Sequence, residues 1–339
     1  MTGIWRLHVN TSFKKGESIG KYLLDNDIMA IGWSFRDSHI DDVIKENLDV
    51  AKKERYLIKD IEGYTNFCKK YNIFFNKGKI NDNVRRFTQD IKLGDLIWMR
   101  YAGIYYLARF NSDSKVIYTC TEETMERDAC IQITNVNWQK IGDESDVPGA
   151  VTTSFIMGQT IRQIYKTGIE KFSKFIYDKK AKTKYYVDTE LTFNQESFYN
   201  SISPTDCEDL LCMYLNKEYG YVVIPSTNKK STELYECVLL DPKTGKNIFI
   251  QVKKGDDRIN AKDYLHLDGE VYLLSTSGEI DNYEEGKYEN IKIVDPKELF
   301  NYISHEDFRN YLPQSIKYWI ELLGGYKKSW PDQVSFFMI

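Results

Sequence analysis

Residues 233–255 leave this chain few local folds. Leu234 to Leu240 reads as a strand, Asp241-Pro242-Lys243-Thr244-Gly245 as a turn, and Asn247 to Lys253 as a strand returning beside the first. Pro242 presets one turn angle and Gly245 relieves another. Side chains alternate along a strand, so Leu234, Glu236 and Val238 share one face, and Gln251 and Lys253 share one face of the partner. The pattern predicts a hairpin with apolar bodies and an acid, an amide and an amine brought together at one end.

That combination suits phosphodiester hydrolysis. The reaction calls for a divalent ion that offsets charge on the phosphoryl oxygens and lowers the pKa of a water. Mg2+ takes oxygen ligands and few protein carboxylates. Glu236 supplies one carboxylate, and the backbone carbonyl of Val252 lies between the two polar side chains. Lys253 is suited to orient or deprotonate the water and to offset anionic charge, and Gln251 to position a water. Upstream, a helix is predicted from Pro204 to about Glu218. Glu208 falls on the same face as Leu211 and Leu215, from which its carboxylate would approach the same ion. Thr205-x-x-Glu208 also fits a capping box, which would engage Glu208 at the helix start instead.

The order Glu208, Glu236, Gln251-Val252-Lys253 resembles the core of Mrr-like restriction endonucleases, a branch of the PD-(D/E)xK nucleases in which Gln replaces the acid before x-Lys. The resemblance covers about 100 residues, roughly 200–305. Family members commonly carry Asp at the second position within a Gly-rich stretch. Here that position is Glu, without the glycines, and Glu233 is an alternative to Glu236. The resemblance implies a mixed central sheet flanked by helices, a Mg2+ (or Mn2+) cofactor, DNA as substrate and a restriction or defence role. Lys229, Lys230, Lys254 and Arg258 are the candidate phosphate contacts. Each is equally an ordinary surface charge.

The first half predicts strands at Trp5–Val9, Met29–Trp33, Leu93–Arg100, Tyr105–Phe110 and Ile131–Trp138, with helical spacing at Ser18–Asn26 and Asp41–Tyr71. Gly103 suits a tight hairpin. Ile31-Gly32-Trp33, Leu93-Gly94-Asp95-Leu96-Ile97-Trp98 and Val136-Asn137-Trp138 resemble PUA-like or EVE-like barrels, which implies a curved β-barrel that reads nucleic acid. Trp33 and Trp98 are then the candidate base-stacking residues, unless they fill the barrel core. The chain is expected to divide into a reading domain (1–165), a linker (166–198) and a nuclease domain (199–339), giving an α/β (α+β) protein overall.

Composition narrows the partners. Residues 1–170 carry about +1 and residues 171–339 about −5, within a total of −4. This disfavours indiscriminate nucleic-acid binding but leaves room for a local basic groove. The chain has 4 histidines and 6 cysteines, with no CxxC pair, which argues against zinc. No secretory signal and no membrane span are read, so a cytoplasmic protein with reduced thiols is expected, with a homodimer suited to double-strand cleavage. The competing functions are a nuclease fold that binds without cutting, and a ligand-sensing effector.

Overall fold

The computed structural model describes residues 2–9, 19–156, 158–166, 168–187, 191–225, 227, 234–255 and 257–325, the Glu306 side chain apart. It is mixed α/β and separates into two compact units, Met1–Thr189 and Glu190–Ile339.

The first unit is built on two main sheets, with a two-stranded ribbon of Phe75–Asn76 and Lys79–Ile80 besides. The larger has five strands in the order Ile161–Gln163, Ile4–Leu7, Leu96–Tyr101, Ile104–Arg109 and Gln139–Gly142. Its Ile4–Leu7 and Leu96–Tyr101 pair is parallel and the others are antiparallel. Asp95 anchors that parallel pair: it accepts from Gly3 N at 2.7 Å and from the Trp5 indole at 2.8 Å. The smaller sheet is antiparallel, in the order Ile28–Ile31, Ile131–Thr134, Val116–Tyr118. Helices Asp37–Val43, Leu48–Glu54 and Ile61–Tyr71 fill the long polar stretch between them in sequence. Phe35, Tyr64 and Tyr118 form a three-ring cluster, with the Phe35 centroid 4.8 and 5.6 Å from the two tyrosines and these 5.0 Å from each other.

Two expectations change here. Among the described residues the two sheets do not join into a closed ring, so the curved barrel is replaced by two separate sheets. Residues 166–198 are not a bare linker either. They contain the helix Ile169–Ala181, which buries Phe172, Ile176 and Tyr177 in the first unit. Its periodic apolar positions are diluted by the neighbouring lysines, which hides them in a composition scan.

The second unit has one five-stranded sheet in the order Val222–Val223, Cys237–Leu240, Asn247–Lys253, Glu270–Ser275, Ile291–Ile293. The first two pairings are antiparallel and the last two parallel. Parallel neighbours need crossover connections. These carry the short strands Ile259–Asn260 and Ile280–Asp281, which pair with each other. Helix Pro204–Tyr219 packs on Asn247–Lys253. Leu210, Leu211 and Leu215 are its buried leucines, and Pro296–Ser304 follows the last strand as a further helix. The apolar end expected to pack at Val334–Ile339 lies outside the described residues.

The hairpin at Tyr101–Ile104 generates a test. Its two loop residues, Ala102 and Gly103, both have positive φ, 50° and 79°. Such a turn favours Asn-Gly over Ala-Gly. Ala102→Asn is expected to raise the stability of the first unit by about 0.5 kcal/mol, and Gly103→Ala to lower it by about 1 kcal/mol. Denaturant midpoints that move in the same direction for both variants contradict the turn assignment.

Candidate active site

The hairpin registers Cys237 against Ile250, Val238 against Phe249, Leu239 against Ile248 and Leu240 against Asn247. One further bond, from Glu236 N to Ile250 O at 2.9 Å, continues the pairing and sets Glu236 beside Gln251. Gln251 is 1% exposed. Its Nε2 donates to Glu236 Oε1 at 3.0 Å, and lies 3.4 Å from the Val252 carbonyl oxygen. Lys253, two residues on and on the same face, holds its Nζ 4.0 Å from the same Glu236 oxygen. The acid, the amide and the amine therefore meet at one carboxylate.

Glu208 joins them from the helix. Ser203 is the N-cap, its Oγ accepting from Asp206 N at 3.0 Å, while Asp206 Oδ2 accepts from Ser203 N at 2.9 Å. The capping box is thus Ser203 and Asp206, with Pro204 at the first helical position. The alternative box from Thr205 to Glu208 does not form, and Glu208 is left out of the cap. Burial pushes its carboxyl up to about 7, the Glu236 carboxylate pushes the same way, and Lys253 opposes both.

Oxygen outnumbers positive charge here. Gln251 Oε1 is buried and accepts no hydrogen bond among the described residues. An orphaned buried acceptor costs about 1–3 kcal/mol, and such groups call for an explanation such as a bound ion or a catalytic role. The acceptors facing the Lys253 ammonium (Glu236 Oε1 at 4.0 Å) and the Gln251 amide (the Val252 carbonyl at 3.4 Å) are oxygens, the donor type that hard divalent cations take.

The proposed phosphate contacts fare differently. Lys254 is tied down: its Nζ donates to the carbonyls of Ile202 and, at 3.4 Å, Asn200, at the C-terminal end of the helix Gln195–Ser201. That use locks the strand end to the helix rather than presenting the ammonium outward. Arg258 is exposed but pairs with Asp281 at 3.0 Å and Glu279 at 3.5 Å, which offsets its charge. Lys229, Lys230 and Glu233 lie outside the described residues.

In the first unit, Trp98 is fully buried, with its indole donating to Ser173 Oγ at 3.0 Å and its ring stacked toward Phe172. Neither face is open to a base, so it serves the core. Trp33 is half-buried with a φ of 66°, its carbonyl accepting from the Tyr64 hydroxyl at 3.0 Å.

Two neighbours of the site escaped sequence reasoning. Tyr264 is buried, and burial, then Asp263, then Glu236 push its hydroxyl up to about 12. Ser275 stands opposite Lys253 on the parallel neighbour, and Thr276 N bonds to Lys253 O at 3.0 Å. Both come from segments with no motif of their own. Only the rule that ligands gather at the carboxyl ends of parallel strands points toward Ser275.

The Glu208 carboxyl makes stability depend on pH. Its pKa rises from 4.5 unfolded to about 7 folded. Between those values the folded chain holds a proton that the unfolded chain has lost, so stability falls as pH rises through that window. In EDTA, the urea midpoint of the second unit is expected to drop from pH 5 to pH 8. Glu208→Gln should flatten the drop, and an unchanged slope in that variant would falsify the assignment. No protein-family model, curated protein or solved structure matches this chain.

Proposed function

We propose that the second unit is a divalent-metal-dependent nuclease of the PD-(D/E)xK type that hydrolyses phosphodiester bonds in DNA, of restriction or defence character. The observation that carries this reading is the buried Gln251, which holds Glu236 with its amide while its own carbonyl oxygen accepts no hydrogen bond among the described residues. A structural amide in a sheet would ordinarily satisfy both of its ends.

Glu236 and Glu208, with the Val252 carbonyl, are the oxygens that would hold Mg2+ or Mn2+. A bound divalent ion supplies Lewis-acid stabilisation of phosphoryl charge and a more acidic water. The remaining chemistry belongs to the chain. Gln251 Nε2 fixes the rotamer of Glu236, so the carboxylate needs no reorganisation. Lys253 Nζ offsets the charge that builds on the phosphoryl oxygens and orients the attacking water. The Gln-for-acid replacement keeps the site one negative charge lighter than a three-carboxylate site, which eases the approach of a polyanion.

We read the first unit as the nucleic-acid-reading partner of this nuclease, akin to PUA-like or EVE-like modules in role. Among the described residues no helix is long and apolar enough to cross a membrane.

Supercoiled plasmid incubated with the full chain tests the nuclease. Nicked or linear product is expected with Mg2+ or Mn2+ and none in EDTA. Lys253→Ala and Glu236→Ala should each cut the rate by about 100-fold or more, the scale of losing a positioned charge in a reaction centre, with far-ultraviolet circular dichroism unchanged. Full activity in both variants removes the site. Intact plasmid together with salt-sensitive DNA binding would instead identify a nuclease fold that binds without cutting.

A further inference from the structure

A cavity of about 770 Å3 opens in the first unit, lined by Arg85, Arg86, Gln159, Arg162 and Tyr165 among others. Two elements frame it. One is a wide turn, Arg86–Asp90, in which Ile91 N bonds to Arg86 O at 3.3 Å, five residues back. Such turns are rare and gather at functional sites. The other is Ile161–Gln163, the edge strand of the five-stranded sheet, which presents Arg162 to solvent.

The charge on this lining is unbalanced. Asp90 is the single acid among the described lining residues, and it already pairs with Arg85 at 2.7 Å. Arg86 and Arg162 are left with no carboxylate on the lining. Arg86 is aimed by the Gln159 side chain, whose backbone carbonyl also receives the buried Arg6. Arg6 bonds to Ser154 O at 2.9 Å as well, so a further guanidinium stands behind the three of the lining. Burial lowers the Arg6 pKa and the charge of Arg162 adds to it, so the two cations feel each other. Bringing like charges together in a cleft is unfavourable unless an anion visits it.

The shape says which anion. The volume falls within the usual range of about 300–1,000 Å3 for ligand sites, and far exceeds a single phosphate. The arginines stand on separate elements, which suits spaced anions. Guanidinium forks match phosphate oxygens in pairs. At the rim, Tyr165 is 79% exposed, its hydroxyl donating to Gln163 Oε1 at 2.5 Å. A flat ring held beside arginines offers a base something to stack on.

We propose that this arginine-lined cleft binds nucleotide phosphates, with the phosphodiester backbone of a nucleic-acid strand as its occupant and Arg86 and Arg162 as the principal contacts. The site lies in the other unit from the proposed nuclease centre and does not rest on that centre being catalytic.

Fluorescence anisotropy of the full chain in EDTA tests it, using a short labelled DNA in single- and double-stranded form, with unlabelled ATP as competitor. Arg86→Gln with Arg162→Gln should weaken binding about tenfold and lower the slope of log affinity against log salt by about 1.5, one contact each. The exposed Arg162→Glu alone should weaken it too, which covers the case where the half-buried Arg86 disturbs folding. Lys253→Ala should bind as the parent does, so loss of cleavage and loss of this site are separable. Displacement of the DNA by ATP, or arginine-dependent ATP binding alone, supports the phosphate site and makes a free nucleotide its source. Affinity and salt slope unchanged for both probes in the arginine variants overturn the proposal.

Discussion

The site in the second unit depends on one buried hydrogen bond, from Gln251 Nε2 to Glu236 Oε1 at 3.0 Å. Water is excluded around Gln251, so its amide has to find a protein acceptor or lose the free energy of one hydrogen bond. Glu236 provides that acceptor because the hairpin pairing extends one residue beyond Cys237. A one-residue slip in register would send Gln251 and Lys253 to the opposite face of the sheet. The apolar residues of the two strands resist that slip, since Val238 and Phe249 belong to one core face and would have to leave it. Packing thus holds a polar contact that packing alone would not choose.

Around that bond, each neighbouring element adds one constraint. The parallel strand Glu270–Ser275 buries the far edge of Asn247–Lys253 and sets Ser275 opposite Lys253. The helix Pro204–Tyr219 begins where Ser203 and Asp206 cap it, which places Glu208 just beyond the first turn and leaves its carboxylate unengaged by the cap. Lys254 fastens the strand end to carbonyls at 200 and 202. The result is a half-buried Glu208 whose carboxyl is raised by burial first and by the Glu236 charge second, with Lys253 opposing both. A site in that electrostatic state gains from a cation, and this is the physical root of the functional proposal.

The first unit follows a different logic. Its polar groups near the parallel strand pair are mostly spent on structure: Asp95 on Gly3 and Trp5, Ser173 on Trp98. The arginines of the cleft are the exception, because their charge exceeds what the lining can neutralise. An overall net charge of −4 conceals this, since a few arginines in one cleft alter a local field without altering a sum.

The amino-acid sequence by itself determined the hairpin, its turn and the helix start, because period-two alternation, Asp-Pro-Lys-Thr-Gly and Ser-Pro act over a few residues. It also determined that Gln251 and Lys253 share a face of their strand, since alternation needs no knowledge of the rest of the chain, while the register that sets Glu236 on that same face is seen in the folded hairpin. Tertiary structure alone decided the rest. It drew Lys254 to carbonyls more than fifty residues away, closed the faces of Trp98, and gathered Arg86 and Arg162 from positions 76 apart. Burial and charge depend on which distant segments arrive at the same place, and local patterning carries no term for that.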